Sequence, residues 1–291
     1  MLETKGEKIF NVVNIVFLSV ISVICLYPLL YVLFASLSEA TSFEQNAGFL
    51  LWPQSFTIGA YKLVFRNIMI GIGYRNTLFY MVLGTSINLI LTVLTAFILS
   101  RKQYPFKRAL NLLIIFTMFF NGGLIPNFLI VKNLGLIDSI WALLLPTAVS
   151  TYNMVIMRTA FSGIPPALEE SAKLDGAGDI RVLCQILIPL AMPTIAVMIL
   201  FYGVSHWNSW FPAMIYIRTR TKYPLQLILR EILIANSTNT MTVNLDTIDT
   251  EAVAEVVKFA TIVVATVPIL LIYPFLQRFF VKGVMIGAVK G

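Results

Sequence analysis

Apolar runs long enough to cross a bilayer recur along the whole chain, and no other feature restricts its possible folds as severely. The first, from Ile9 to Ser36, has no charged side chain. A backbone inside hydrocarbon must satisfy its own hydrogen bonds, and about 20 apolar residues in a helix reach from one face to the other. Six such spans are expected, at about 9–36, 77–99, 109–131, 140–162, 191–216 and 259–281. Only 12% of the residues are charged and 58% are hydrophobic, whereas soluble domains carry about 25% charged residues. The reading is an all-α integral membrane protein, one membrane domain over residues 1–291 with no soluble domain attached. The first run is too long for a signal-peptide core and has no small-residue cleavage site. Apolar chain continues after Cys25, so a lipoprotein signal is not expected either.

The formal charge is +7, but the basic residues flank apolar runs rather than forming a patch. Anionic lipid is their natural partner, and nucleic acid is not. The tight basic loop RKQYPFKR, residues 101–108, sets the orientation. Both termini and the loop 163–190 are expected in the cytoplasm, and segments 37–76 and 217–258 outside. That places the chain in a cytoplasmic membrane as a multi-pass protein.

Chemistry is sparse. The chain has no GxxxxGK[ST], HExxH or GxSxG pattern, so neither nucleotide binding by a phosphate loop nor hydrolysis is expected. His206 is the one imidazole, and Cys25 and Cys184 lie far apart without metal-ligand spacing. No catalytic residue, metal site or cofactor is assigned to this chain. No carboxylate occurs between Glu44 and Asp138, nor from Ile180 to Arg230. A proton-driven secondary transporter would have to work without a buried acid, yet that class stays open as the alternative.

Against this background one segment stands out. PPALEESAKLDGAGD, residues 165–179, holds four of the 14 carboxylates. Pro165 and Pro166 suit a helix start. Glu169 and Glu170 complement the positive end of the helix dipole. Leu168, Ser171, Ala172 and Asp175 share one face, and Gly176 provides a C-terminal stop. Asp179 is expected to cap a second helix over about 180–188, closed by Pro189. A helix of about ten residues is marginal alone. Its small, acidic exposed face calls for a partner outside the chain. The alternative is an amphipathic loop helix lying on the membrane, although such helices favour Lys and Arg with large apolar anchors.

Three pieces of this region, Glu170-Ser171-Ala172, Asp175-Gly176-Ala177 and Ile186-Leu187-Ile188-Pro189, resemble the cytoplasmic EAA signature of ABC importer permeases. Ser171 stands where the signature has alanine, and Ile188 where it has leucine. The tail VKGVMIGAVKG resembles the end of the shorter permease subunit of maltose-type importers. NGGLIP (121–126), LGLIDSIWALLLP (134–146) and HWNSWFPAMIYI (206–217) are similar to the branch that serves oligosaccharides. The resemblance implies a type I importer permease fold with six transmembrane helices. It implies a permease subunit that passes oligosaccharides delivered by an extracellular solute-binding lipoprotein. The implied partners are a second homologous permease and two ATPase subunits, and ATP and Mg are used on those ATPases. It makes the acidic loop a coupling helix formed by Glu169, Glu170, Ser171, Ala172, Lys173, Leu174, Asp175, Gly176 and Ala177, with Glu170 facing a basic group on the ATPase. It also implies that loop 217–258 reaches into the binding protein. An ABC permease for a non-sugar solute is a further alternative.

Polar residues inside the spans are the candidates for a substrate path: Asn121, Tyr152, Asn153, His206, Trp207, Asn208 and Trp210. Aromatic faces stack on sugar C–H groups while amides bond hydroxyls. In the third span Asn121-Gly122-Gly123 and Pro126 read as a broken helix of the kind found where backbone lines a cavity. The other readings are a packing kink at Pro126, interface anchoring by Trp207 and Trp210, a bond across helices by Asn208, and a packing role for His206.

Overall fold

The computed structural model describes residues 5–45, 48–101, 107–234 and 250–288. Among them every regular element is helical. The chain divides into two compact units, Met1–Ile70 with Leu229–Val267, and Gly71–Ile228 with Pro268–Gly291.

The first unit opens with α1, Lys5–Ser36, whose apolar side chains are exposed along nearly its whole length. A helix hydrophobic all round and uncovered by its own chain is suited to lipid or to another subunit. Two short helices follow, α2 (Ala40–Gln45) and α3 (Gly59–Arg66). Tyr31 of α1, Phe43 of α2 and Phe259 meet edge to face at centroid separations of 5.7–6.4 Å.

The second unit is built around α4, Ile68–Ser100, which is one unbroken helix of 33 residues. Next come α5 (Lys107–Phe119), α6 (Leu124–Asn133), α7 (Trp141–Leu144), α8 (Thr151–Ser162) and α9 (Pro166–Leu174). Then follow α10 (Asp179–Val182), a π turn over Leu183–Leu187, α11 (Ile188–Leu190), α12 (Met192–Trp207) and α13 (Phe211–Tyr216). The last helices of the chain are α14, Leu225–Ile234, and α15, Thr250–Ala288, and the division between the units falls within each of them. One core of the second unit is shared by Val93, Ala96 and Leu99 of α4, Met154, Met157 and Phe161 of α8, Val182, Leu183 and Leu187, and Ile195, Met198 and Tyr202 of α12.

Three helical stretches are long and apolar enough to cross a bilayer unbroken: Gly6–Ser36, Ile68–Ser100 and Ala252–Leu271. Two more cross only if bent pairs count as single spans. Arg108–Phe119 and Leu124–Asn133 meet at 111°, and Asp179–Leu190 and Met192–Trp207 at 83°. The described residues therefore do not contain six unbroken spans. The expected span 140–162 is split into α7 and α8. Between them Ser150, in extended backbone, caps α8 by accepting from the Asn153 N–H, a local bond that starts a new helix. The expected span 109–131 is broken at 120–123, as the Asn121-Gly122-Gly123 run leads one to expect, and Pro126 is not a kink. Asn121 Oδ1 accepts from the Gly123 N–H at 3.0 Å, which competes with helical bonding. Pro126 then sits in the first turn of α6, where its missing N–H costs nothing. The expected span 191–216 is helical to Trp207 and restarts at Phe211.

Candidate functional site: a docking helix and a polar cluster

Helix α9 has defined ends. Pro166 occupies its first position, and Gly176 beyond its last turn takes φ +83°. The Gly176 N–H donates to Lys173 O at 3.0 Å and the Ala177 N–H to Ala172 O at 2.9 Å. These two bonds form a Schellman closure, which needs a left-handed residue at that position. Ala172 and Ala177 complete it by packing together on the core of the second unit.

The two adjacent carboxylates diverge. Glu169 turns inward to a side-chain exposure of 16% and forms an ion pair with Arg101, the residue after α4. Lys173 Nζ lies 3.2 Å from Glu169 Oε1 and 3.2 Å from Asp179 Oδ1. The Arg101 guanidinium sits 4.3 Å above the Phe97 ring. Burial pulls the Arg101 pKa down and the charge of Asp179 works against that, and the group stays charged. Asp179 is thus not the cap expected of it: Gly178 holds that position, and Asp179 begins α10 and pairs with Lys173. The helix expected over 180–188 widens instead at the π turn, where the Ile188 N–H reaches back five residues to Leu183 O. Pro189 has no N–H to donate and its ring would clash with the carbonyl four residues earlier, and the wider turn relieves both.

The outward side carries Glu170, Ser171 and Asp175, all exposed, and two bare apolar side chains, Leu174 at 90% exposure and Ile180 at 78%. Of the face expected from Leu168, Ser171, Ala172 and Asp175, only Ala172 turns to the core.

A second polar group lies inside the unit. His206 Nε2 is 2.7 Å from Asn88 Oδ1, and Asn88 Nδ2 donates to Thr147 O at 2.6 Å and Ala148 O at 2.8 Å. With its amide nitrogen donating, Asn88 offers His206 an acceptor, which assigns the proton to Nε2. Gly84 supports the ring: a Cβ there would lie 2.5 Å from it. One turn beyond Asn88, Thr92 Oγ1 bonds the Tyr202 hydroxyl at 2.7 Å.

Trp207 is buried at 3% exposure and meets Tyr74 edge to face at 6.2 Å. Its indole N–H is buried without a partner among the described residues. The other candidates for a path are scattered. Asn153 is buried on α8, Trp210 is half-buried against Phe211, and Asn121, Tyr152 and Asn208 are exposed. Sequence reasoning overlooked Asn88, Gly84 and Thr92, although their spacing of four was visible. Such spacing stacks polar and small residues on one helix face.

Asp138, also overlooked, joins two connecting segments. Its carboxylate accepts from Thr219 Oγ1 at 2.6 Å, Thr219 N at 2.9 Å, Arg218 N at 3.0 Å and Lys222 Nζ at 3.0 Å. The Thr219 hydroxyl and amide do most to hold the carboxyl well below the usual carboxylate range; burial opposes them, and the Lys222 and Arg218 bonds add smaller contributions in the same direction as Thr219. The end of α4 grips the same loop. Asn76 Nδ2 donates to Thr221 O at 2.8 Å, and the Tyr80 hydroxyl donates to Lys222 O at 2.8 Å.

The pattern that defines the family described as "Binding-protein-dependent transport system inner membrane component" matches residues 70–286. Over 285 residues the chain is 39% identical to the polygalacturonan/rhamnogalacturonan transport system permease protein YtcP of Bacillus subtilis (strain 168), covering 98% of this chain and 99% of that protein. It is 40% identical over 292 residues to protein LplC of the same organism, covering 100% of this chain and 98% of the other. Among solved structures, a chain of a bacterial ABC transporter involved in the import of the acidic polysaccharide alginate superposes with a TM-score of 0.88. That chain is 33% identical, and the match covers 96% of this chain and 99% of the other. With residues 70–286 matched and full-length relatives well above 30% identity, the chain belongs to the binding-protein-dependent transport system inner membrane component family.

Proposed function

We propose that this chain, a sugar ABC transporter permease, is one permease half of an importer in which α9 docks on an ATPase subunit carried by a separate polypeptide. The observation that carries the reading is the asymmetry of α9: Glu169 is tied to the body while Glu170 and Leu174 point away from it. An apolar knob at 90% exposure beside a free-standing carboxylate suits a protein cleft with a basic rim. The chain has no phosphate-loop pattern, which fits a permease whose ATP is bound on another polypeptide. The permease is a transport subunit and not an enzyme.

The Arg101–Glu169 pair supports the topology. A pair between Arg101, at the end of α4, and Glu169 of α9 favours one side of the membrane for both, and the excess of Lys and Arg in RKQYPFKR favours the cytoplasm for that side. The termini share that side if the spans number six. The complete particle holds a second homologous permease, two ATPases that use ATP and Mg, and an extracellular solute-binding lipoprotein. Part of loop 217–258 meets that binding protein; residues 235–249 lie outside the described residues.

Oligosaccharides are the cargo class, and the names of two relatives, one for polygalacturonan/rhamnogalacturonan and one for acidic alginate, favour chains that carry uronate groups. Trp207, with its buried and unpartnered N–H, is the best-placed donor for a sugar hydroxyl. The remaining path candidates are Asn121, Tyr152, Asn153, His206, Asn208 and Trp210.

The test is to purify the assembled importer with Glu170→Ala or Leu174→Ala and measure ATPase retention and uptake of galacturonate oligomers. Loss of ATPase subunits, with insertion of the permease unchanged, is the expected result. Full retention and full uptake in both variants would refute the docking role.

A further inference from the structure

Glu169 and Glu170 are neighbours on α9, and the fold uses them in opposite ways. Glu170 is exposed, whereas Glu169 faces Arg101. Arg101 follows the last residue of α4 and is clamped over Phe97, one turn back on that helix. Lys173 contacts Glu169 on one side and Asp179 on the other, each at 3.2 Å. Four charges of alternating sign therefore join the end of α4, the whole of α9 and the start of α10. The apolar seat of α9 is slight by comparison, made by the methyl groups of Ala172 and Ala177. Methyl contacts are non-directional and allow sliding. An ion pair at low exposure is directional, and losing one partner strands the other charge.

Helix α4 extends this linkage. Midway along, Asn88 and Thr92 bond His206 and Tyr202 of α12. At its far end Asn76 and Tyr80 hold the loop around Thr221. We infer that Arg101 and Glu169 are positioning residues, a strut that carries displacement of α9 into α4; this rests on the reading of α9 as the docking helix. The strut makes no contact with the ATPase. It decides whether a pull on α9 moves the membrane helices or is lost in sliding at the two alanines.

The experiment uses the complete importer with its ATPases in lipid nanodiscs. Cys25 and Cys184 are changed to Ser, and an environment-sensitive fluorophore is placed on Thr221→Cys. Added MgATP is the probe. Arg101→Gln is expected to keep its ATPase subunits and its basal hydrolysis while the fluorescence response to MgATP falls about fivefold or more. Arg101→Lys, which keeps the charge, should restore part of the response. Adding Glu169→Gln to Arg101→Gln should cost nothing further, because the two residues act as one unit. A full response in Arg101→Gln, or losses that multiply in the double variant, would overturn the strut. A parent complex with no MgATP response, together with full ATPase retention in Glu170→Ala, would instead remove the docking reading beneath it.

Discussion

Asp138 adopts a φ of +59°, a conformation that costs most side chains energy and that Asp tolerates better than most. Four donors around its carboxylate hold it there. Because those donors depress its folded pKa, the sign of its pH dependence is fixed. The stabilisation is complete above the unfolded value of about 3.9 and is lost only as pH falls below that value. Asp138→Asn should lower the thermal unfolding temperature in detergent by an amount that stays constant from pH 5 to pH 8. A gap that closes between pH 6 and pH 7 would mean that another group is responsible. At this scale the sequence was partly readable. The Gly84, Asn88, Thr92 stripe and the acidic cluster are visible as patterns. The pairing of Arg101 with Glu169, or of Asp138 with Thr219, joins residues far apart in the chain, and no local pattern encodes such contacts.

At the level of elements, hydrophobicity located the helices better than it located their breaks. Helix α4 and the long first helix stay continuous although they carry polar residues, because Ser22, Ser86 and Thr95 bond carbonyls three or four residues back, within the helix, rather than starting a new one. The expected spans over 109–131, 140–162 and 191–216 are interrupted at 120–123, 145–150 and 208–210. Each break includes a residue able to bond its own backbone, and the apolar average hides it. Helix α9 was the most legible element, since proline at its start and glycine at its end are chemical punctuation. Its closure is testable. Gly176→Ala places a Cβ in the left-handed region at a cost of about 1 kcal/mol, and Gly176→Asn costs less. Gly176→Pro also removes the bond to Lys173 O. ATPase retention by the assembled importer should fall in the order Gly, Asn, Ala, Pro, with membrane insertion unchanged. Equal retention in all four would show that the shape of this end is irrelevant to docking.

For the whole molecule, family membership was legible from a few motifs because each is a short continuous run of the chain that can be read without knowing how distant segments pack. The break at Asn121-Gly122-Gly123 was legible, but the bend between Leu190 and Met192, the division into two units and the polar bonds between α4 and α12 were not, since each depends on packing between distant segments. The central claim is that the chain is moved from the cytosol through α9. It is tested most directly by placing a photo-crosslinking side chain at Leu174, the most exposed residue of that helix, and irradiating the assembled importer in native membranes. Crosslinking to an ATPase subunit, at a level reduced by Glu170→Ala, is the expected result. Crosslinks to lipid alone, or labelling of position 174 from the outer side of the membrane, would contradict it.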